Sequence, residues 1–139
     1  KGKGSIVKIL QDGLVVPDIL NTCKFFMYSG LYVDHLADML SAVTGWEIDG
    51  WELLEVGERV INLQRLFNIR EGFSRKDDIL HERQKLKPAF GIYENEEQCA
   101  IKDFDGMIDD FYQARGWDLK TGIPKPEKLR ELGLETDLT

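Results

Sequence analysis

The apolar residues of this chain recur at intervals of three and four, and no stretch of four to eight residues alternates convincingly between apolar and polar. That pattern excludes a sheet and predicts an all-α domain of about five to six helices. Ser5 is placed to cap a first helix carrying Ile6, Ile9, Leu10 and Leu14, with Pro17 as its latest end. The apolar stretch from Asp18 to Tyr28 reads equally as a short helix or an ordered turn. From Tyr32, the spacing of Val33, Leu36, Ala37, Leu40 and Val43 predicts a helix ending at Thr44-Gly45. Asp49-Gly50-Trp51-Glu52 forms a capping box that opens the longest helix, about residues 50 to 71. Its expected buried stripe is Leu53, Leu54, Val56, Val60, Ile61, Leu63, Leu66 and Phe67. Residues 73 to 102 are less regular, broken at Pro88 and Gly91, with a turn or two of helix near 77 to 84. A further helix spans Asp103 to Arg115 and closes at Gly116; Phe104, Met107, Ile108, Phe111 and Tyr112 share one side. The last helix begins at Pro126, turns Leu129 and Leu132 inward and ends at Gly133.

With 139 residues, 42% hydrophobic and 31% charged, the chain is expected to form a single soluble helical domain over residues 1–139. No apolar run approaches the ~20 residues needed to span a bilayer. The start Lys1-Gly2-Lys3-Gly4-Ser5 is charged but lacks the apolar core and cleavage site of a signal peptide, so the expected location is cytoplasmic. A formal net charge of −7 argues against a nucleic-acid partner held through phosphates. The local basic clusters, Lys85 with Lys87 and Lys125 with Lys128 and Arg130, are diluted by acidic neighbours and read as solvated surface.

Local chemistry narrows quickly. His35 with Asp38, and Asp78 with His81, supply half the pattern of a di-iron bundle. The other half needs two inward glutamates, and Glu55 and Glu58 fall on the expected polar side of the long helix, so the histidines read as solvated. No nucleophile elbow and no glycine-rich phosphate loop is present. Trp46, Trp51 and Trp117 flank helix boundaries and read as core staples. Asp77, Asp78, Asp109 and Asp110 read as caps and ion pairs. Arg65, Arg70 and Glu71 are expected in inter-helix ion pairs, with Phe67 in the core. The two cysteines, Cys23 and Cys99, are too few for a disulfide scaffold or a self-contained zinc site. Asp18 with Cys23 is the one combination worth following, although a lone cysteine in an apolar stretch is ordinarily a small core residue.

The order of segments carries more than any one of them. Lys8-Ile9-Leu10-Gln11-Asp12 is followed by Asp18, four residues, and Cys23-Lys24-Phe25. Then come Ala42-Val43-Thr44-Gly45-Trp46, Gly57-Glu58-Arg59-Val60, the block from Arg65 to Phe73, and Arg75-Lys76-Asp77-Asp78-Ile79-Leu80. Arg115-Gly116-Trp117-Asp118, Thr121-Gly122-Ile123-Pro124 and the run from Leu129 to Leu134 close the series. In order and spacing, across essentially the whole chain, these blocks resemble the C-terminal domain of the aldehyde:ferredoxin oxidoreductase family.

The resemblance implies a C-terminal portion of an enzyme that binds a tungsten or molybdenum bis-pyranopterin beside a [4Fe–4S] cluster. It implies oxidation of aldehydes to carboxylic acids, with a small carbonyl substrate and ferredoxin as partners. The family motif Asp-x-x-Gly-Leu-Cys places Asp18 and the neighbouring backbone, at Thr22, against the pterin, and makes Cys23 the last cluster ligand. Asn21 stands where the motif has glycine and Thr22 where it has leucine, which bears on the turn because Asn enters the left-handed region less freely than Gly. A cubane takes four thiolates and this chain has two cysteines, so the other ligands are expected in missing N-terminal domains, together with the acid/base groups. The chain alone is then inactive and contains no catalytic residue. An exposed apolar face toward those missing domains, sticky enough to give homo-oligomers, is also implied. The competing reading is a free-standing helical interaction module that keeps the fold without the cofactor.

Overall fold

Seven helices and no sheet make up the described residues of the computed structural model, which are residues 2–134. Lys1 and residues 135–139, part of the expected single-domain span, lie outside them. The helices are α1 (Lys3–Ile19), α2 (Phe25–Tyr28), α3 (Val33–Thr44), α4 (Gly50–Arg70), α5 (Glu82–Lys85), α6 (Phe104–Arg115) and α7 (Pro126–Glu131). Short 3₁₀ turns at Arg75–Asp77 and Glu97–Cys99 punctuate the irregular stretch between α4 and α6. The one β-bridge among the described residues joins Trp117 and Pro124. Among them, no helix is long and apolar enough to cross a membrane.

Several boundaries follow directly from local chemistry. At α4, Asp49 Oδ1 accepts from Glu52 N at 2.9 Å while Glu52 Oε2 accepts from Asp49 N at 2.9 Å, closing the expected box. Asp103 caps α6 by accepting from Gly106 N, and Gly45, Gly116 and Gly133 end or follow their helices with positive φ. The ends of α1 differ from expectation. Its first turn begins at Lys3, ahead of Ser5, because the cap is tertiary: Asp110 on α6 accepts from Gly4 N at 2.7 Å. Pro17 does not stop it. A proline one turn from a helix end forfeits only one hydrogen bond and keeps a helical φ, so α1 runs on to Ile19.

Helix α1 packs on both α4 and α6, and α3 packs on α4. The approach of α1 is close enough to require glycine. A Cβ at Gly57 on α4 would lie 2.1 Å from the Asp12 carbonyl oxygen, and one at Gly4 would lie 2.4 Å from the backbone of Asp110 and Phe111. Between these contacts runs a buried charge network. Arg115, fully buried on α6, donates to Asp12 Oδ1 at 2.5 Å, to Gln11 Oε1 at 2.8 Å and to the Lys8 carbonyl at 3.2 Å. Lys8 bridges Asp12 (2.9 Å) to Glu58 (2.7 Å), and Lys128 meets Glu58 from α7 at 3.3 Å.

A second buried group ties α4 to the C-terminal loops. Arg65 forms a two-pronged pair with Asp78 (3.0 and 2.7 Å), donates to the Gly122 carbonyl and lies over the Trp117 ring. Asn62 accepts from Trp117 Nε1 at 2.8 Å, and the Tyr112 hydroxyl donates to Asp78. The apolar core proper is small: Val16, Leu36, Ala37 and Leu53, joined by Leu20, Met27, Val33, Leu40 and Ile48.

This arrangement corrects the expected stripe of α4. Its buried positions are Gly50, Leu53, Gly57, Glu58, Asn62 and Arg65, while Leu63 and Phe67 are exposed. Glu58 is therefore inward and not on a polar face. Periodicity located the apolar stripe, but the side that meets α1 is chosen by the small residue at 57 and by polar groups that find partners. Trp51 on α4 faces outward for the same reason; Val43 on α3 and Trp46 in the loop after it are exposed as well, and only Trp117 is a core staple. Arg70 and Glu71 pair with each other at 3.3 Å rather than between helices.

Three measurements of unfolding check this packing. Asp12→Ala strands the buried Arg115 charge and is expected to cost about 3–5 kcal/mol in denaturant titration. Gly57→Ala, which must push α1 off α4, should cost about 1–3 kcal/mol or more. Burial pushes the Glu58 carboxyl up, but Lys8 and Lys128 outweigh it and hold it below its ordinary 4.5. A depressed folded pKa gives stability that is present above pH 4.5 and lost as pH falls through the folded value. Stability of Glu58→Gln should accordingly depend less on pH in that acid range than the wild type does.

Candidate cofactor site

The turn between α1 and α2 carries the three residues expected to meet a cofactor. It is a Schellman closure: Thr22 N donates to the Pro17 carbonyl at 2.8 Å and Asn21 N to the Asp18 carbonyl at 3.3 Å. Asn21 occupies the pivot with φ +53°, the left-handed conformation that glycine would take most readily. The replacement of glycine by asparagine therefore leaves a left-handed turn in place. Thr22 Oγ1 also reaches back toward the Pro17 carbonyl at 3.4 Å.

Anchoring comes from both sides of the turn. Val16 is buried and Leu20 packs against the same core; beyond the turn, Met27 of α2 returns to it. The residues in between point outward. Asp18, Thr22 and Cys23 are exposed, and Cys23 is a free thiol. The expectation that a cysteine in such a stretch packs inward does not hold for Cys23. Phe25 and Phe26, which follow it, are exposed as well, and the Phe25 ring lies 6.0 Å from that of Tyr28.

Lys24 was not anticipated in this site. Its ammonium lies 2.7 Å from Asp18 Oδ2, on a pair half open to water. A carboxylate in the last turn of a helix faces the negative end of the helix dipole, and Lys24 offsets that. The signal was in the sequence as an Asp and a Lys six residues apart, but it becomes a pair only once the turn folds the chain back.

The other candidates separate from this site. His35 and His81 are both exposed, and each Nδ1 accepts a backbone N–H, from Tyr32 at 3.1 Å and from Arg83 at 3.2 Å. Asp78 is turned to Arg65 and Tyr112, Asp77 caps Ser74, Asp109 pairs with Arg75, and Asp110 caps α1. These carboxylates are caps and ion-pair partners. Cys99 is free and exposed at the end of a 3₁₀ turn. Lys128 is half-buried against Glu58, not solvated like Lys125 and Arg130. Among the described residues no group of three or more His, Cys, Asp and Glu side chains could hold a metal ion. One free, exposed thiol and one exposed carboxylate are donor types that fit the edge of a cluster and pterin site, as single donors to groups completed from outside.

Comparison with known proteins bears on the same segment. A family model described as aldehyde ferredoxin oxidoreductase, domains 2 and 3, matches residues 1–134. A tungsten-containing aldehyde ferredoxin oxidoreductase of Pyrococcus horikoshii is 36% identical over 134 residues, covering 96% of this chain and 21% of that protein. A protein of the same description from Pyrococcus abyssi is 35% identical over 134 residues, with the same coverage of each. Another, from Thermococcus kodakarensis, is 32% identical over 133 residues, covering 95% of this chain and 21% of the relative. The chain thus spans about a fifth of the length of the curated relatives it matches.

The pivot supplies a test of the turn. Asn21→Gly should leave the thermal unfolding temperature nearly unchanged, because glycine adopts the same φ. Asn21→Val, with a branched Cβ in a left-handed conformation, should destabilise by about 1–2 kcal/mol.

Proposed function

The chain belongs to the aldehyde ferredoxin oxidoreductase family, and on that premise we propose that it forms the C-terminal portion of a pterin-metal enzyme that oxidises aldehydes to carboxylic acids. The observation that carries this reading is the exposed Asp18 and the free, exposed Cys23, held five residues apart across a closed helix end. Tungsten is the metal of the reading, in keeping with the description of the relatives. Ferredoxin as electron acceptor and a cytoplasmic setting belong to the same proposal.

Each residue of the turn has one task. The Asp18 carboxylate accepts N–H donors of a pterin ring, a charge-assisted contact that fixes the orientation of the ring. Lys24 pairs with that carboxylate at 2.7 Å and holds it along the edge of the turn. Thr22 offers its carbonyl, its N–H being committed to Pro17. The Cys23 sulfur serves as one of the four thiolate ligands of a [4Fe–4S] cluster. Phe25 and Phe26 restrict water beside that sulfur, which is one of the influences on a cluster potential. When bound, the metallopterin and cluster supply the electron transfer, and the protein supplies orientation and electrostatics. No residue of this chain is assigned an acid/base role, and the chain by itself is not a catalyst.

Iron content and electron paramagnetic resonance of the reduced full-length enzyme test the assignment. Cys23→Ala is expected to lower the iron content and alter the cluster signal while leaving the helical circular dichroism intact. Cys99→Ala should change neither, since Cys99 lies in an acid-rich stretch with Glu94, Glu96 and Glu97 that repels an anionic cluster. An unchanged signal and iron content in Cys23→Ala would remove the ligand role.

A further inference from the structure

Thr22 stands directly before the candidate ligand cysteine and is exposed, yet only its backbone N–H is firmly engaged, donating to the Pro17 carbonyl at 2.8 Å. Its hydroxyl reaches toward the same carbonyl, but at 3.4 Å, well beyond the ~2.7–2.8 Å at which an oxygen ordinarily holds an O–H donor. The Pro17 carbonyl already has its donor, and the hydroxyl gives up little by rotating about χ1 to another staggered position. The other polar side chains around Cys23 are placed differently. The Lys24 ammonium is held on Asp18 Oδ2 at 2.7 Å. Asn21 lies one residue further back, on the left-handed pivot of the turn at φ +53°. In this turn the Thr22 hydroxyl is the donor adjacent in sequence to the sulfur that lacks a good acceptor.

We propose that the Thr22 hydroxyl donates a hydrogen bond to the Cys23 sulfur when that sulfur is bound to iron, and so raises the reduction potential of the cluster. This role rests on the reading of Cys23 as a cluster ligand and deepens it. A hydroxyl beside one of four thiolates around a cubane leaves bulk water as the site is completed. Taking a hydroxyl out of water is costly unless an acceptor replaces the water. An anionic sulfur next to it is a better acceptor than a carbonyl that already accepts at 2.8 Å. A donor at that sulfur stabilises the reduced, more negative cluster over the oxidised one, and hydrogen bonds to sulfur are among the determinants of cluster potential. Leucine, the residue of the family motif at this place, has no proton to give. The threonine therefore sets the potential of this protein above that of the same turn with leucine.

A redox titration of the iron-loaded full-length enzyme, followed by electron paramagnetic resonance, measures the midpoint potential of the cluster. Thr22→Val keeps the shape of the side chain and loses the hydroxyl. It should retain its iron and lower the potential by the equivalent of about a tenfold shift in the reduction equilibrium, about 59 mV for one electron. Thr22→Leu, a second hydroxyl-free variant, should do the same, whereas Thr22→Ser keeps the hydroxyl and should keep the wild-type potential. A wild-type potential in either hydroxyl-free variant overturns the proposal. A potential in Thr22→Ser as low as in Thr22→Val also overturns it, since the effect would then follow the methyl group. Loss of iron from both hydroxyl-free variants overturns it too, because the hydroxyl would then hold the cluster and not tune it. Cys23→Ala separates this role from the reading beneath it. Unchanged iron content and cluster signal in Cys23→Ala remove the ligand reading and the hydroxyl's role together. Lost iron in Cys23→Ala with a wild-type potential in Thr22→Val removes the hydroxyl's role alone.

Discussion

Arg115 has no contact with solvent, and its guanidinium is held by Asp12, Gln11 and the Lys8 carbonyl, all on α1. A buried cation is tolerated only with such partners, so α6 and α1 are fixed to each other in one register. The glycine contacts make the same demand sterically: Gly57 brings α4 against the Asp12 backbone and Gly4 brings α1 against that of α6. The apolar core is too small to orient seven helices unaided. In this chain the charges and the missing side chains specify the packing, and the core supplies bulk burial around Val16, Leu36, Ala37 and Leu53.

The position of the candidate site follows from that clamp. With α1 held along its length, its C-terminal turn is presented at a fixed place, and Val16, Leu20 and Met27 tie both sides of the turn to the core. Asp18 and Cys23 are then placed by a rigid helix end while remaining open to partners. At this edge the chain presents one free, exposed thiol and one exposed carboxylate.

Much of this was legible in the sequence. The 3.6-residue period, the Asp49–Glu52 box, Pro126 at the start of α7 and the glycines after α3 and α6 placed helices within a residue or two. Asp18 and Cys23 were singled out chiefly by the family resemblance, and the structure exposes both at one helix end. What was hidden is what depends on distant partners. The start of α1 is capped by Asp110, more than a hundred residues away. Glu58 and Asn62 look like solvent-facing residues until Lys8, Lys128 and Trp117 are brought to them. Trp51 and Phe67 look like core until the close approach at Gly57 turns α4 the other way. Periodicity reports that a helix has two faces; which face is buried is decided by contacts that no local window contains.

The central claim is that the Cys23 sulfur is bound to iron in the complete enzyme, and its chemical reactivity reads this most directly. In the iron-loaded full-length protein, alkylation followed by mass mapping should find Cys23 unmodified and Cys99 modified. After iron is removed with a chelator under reducing conditions, Cys23 should become modified too. Alkylation of Cys23 before the iron is removed would contradict the account.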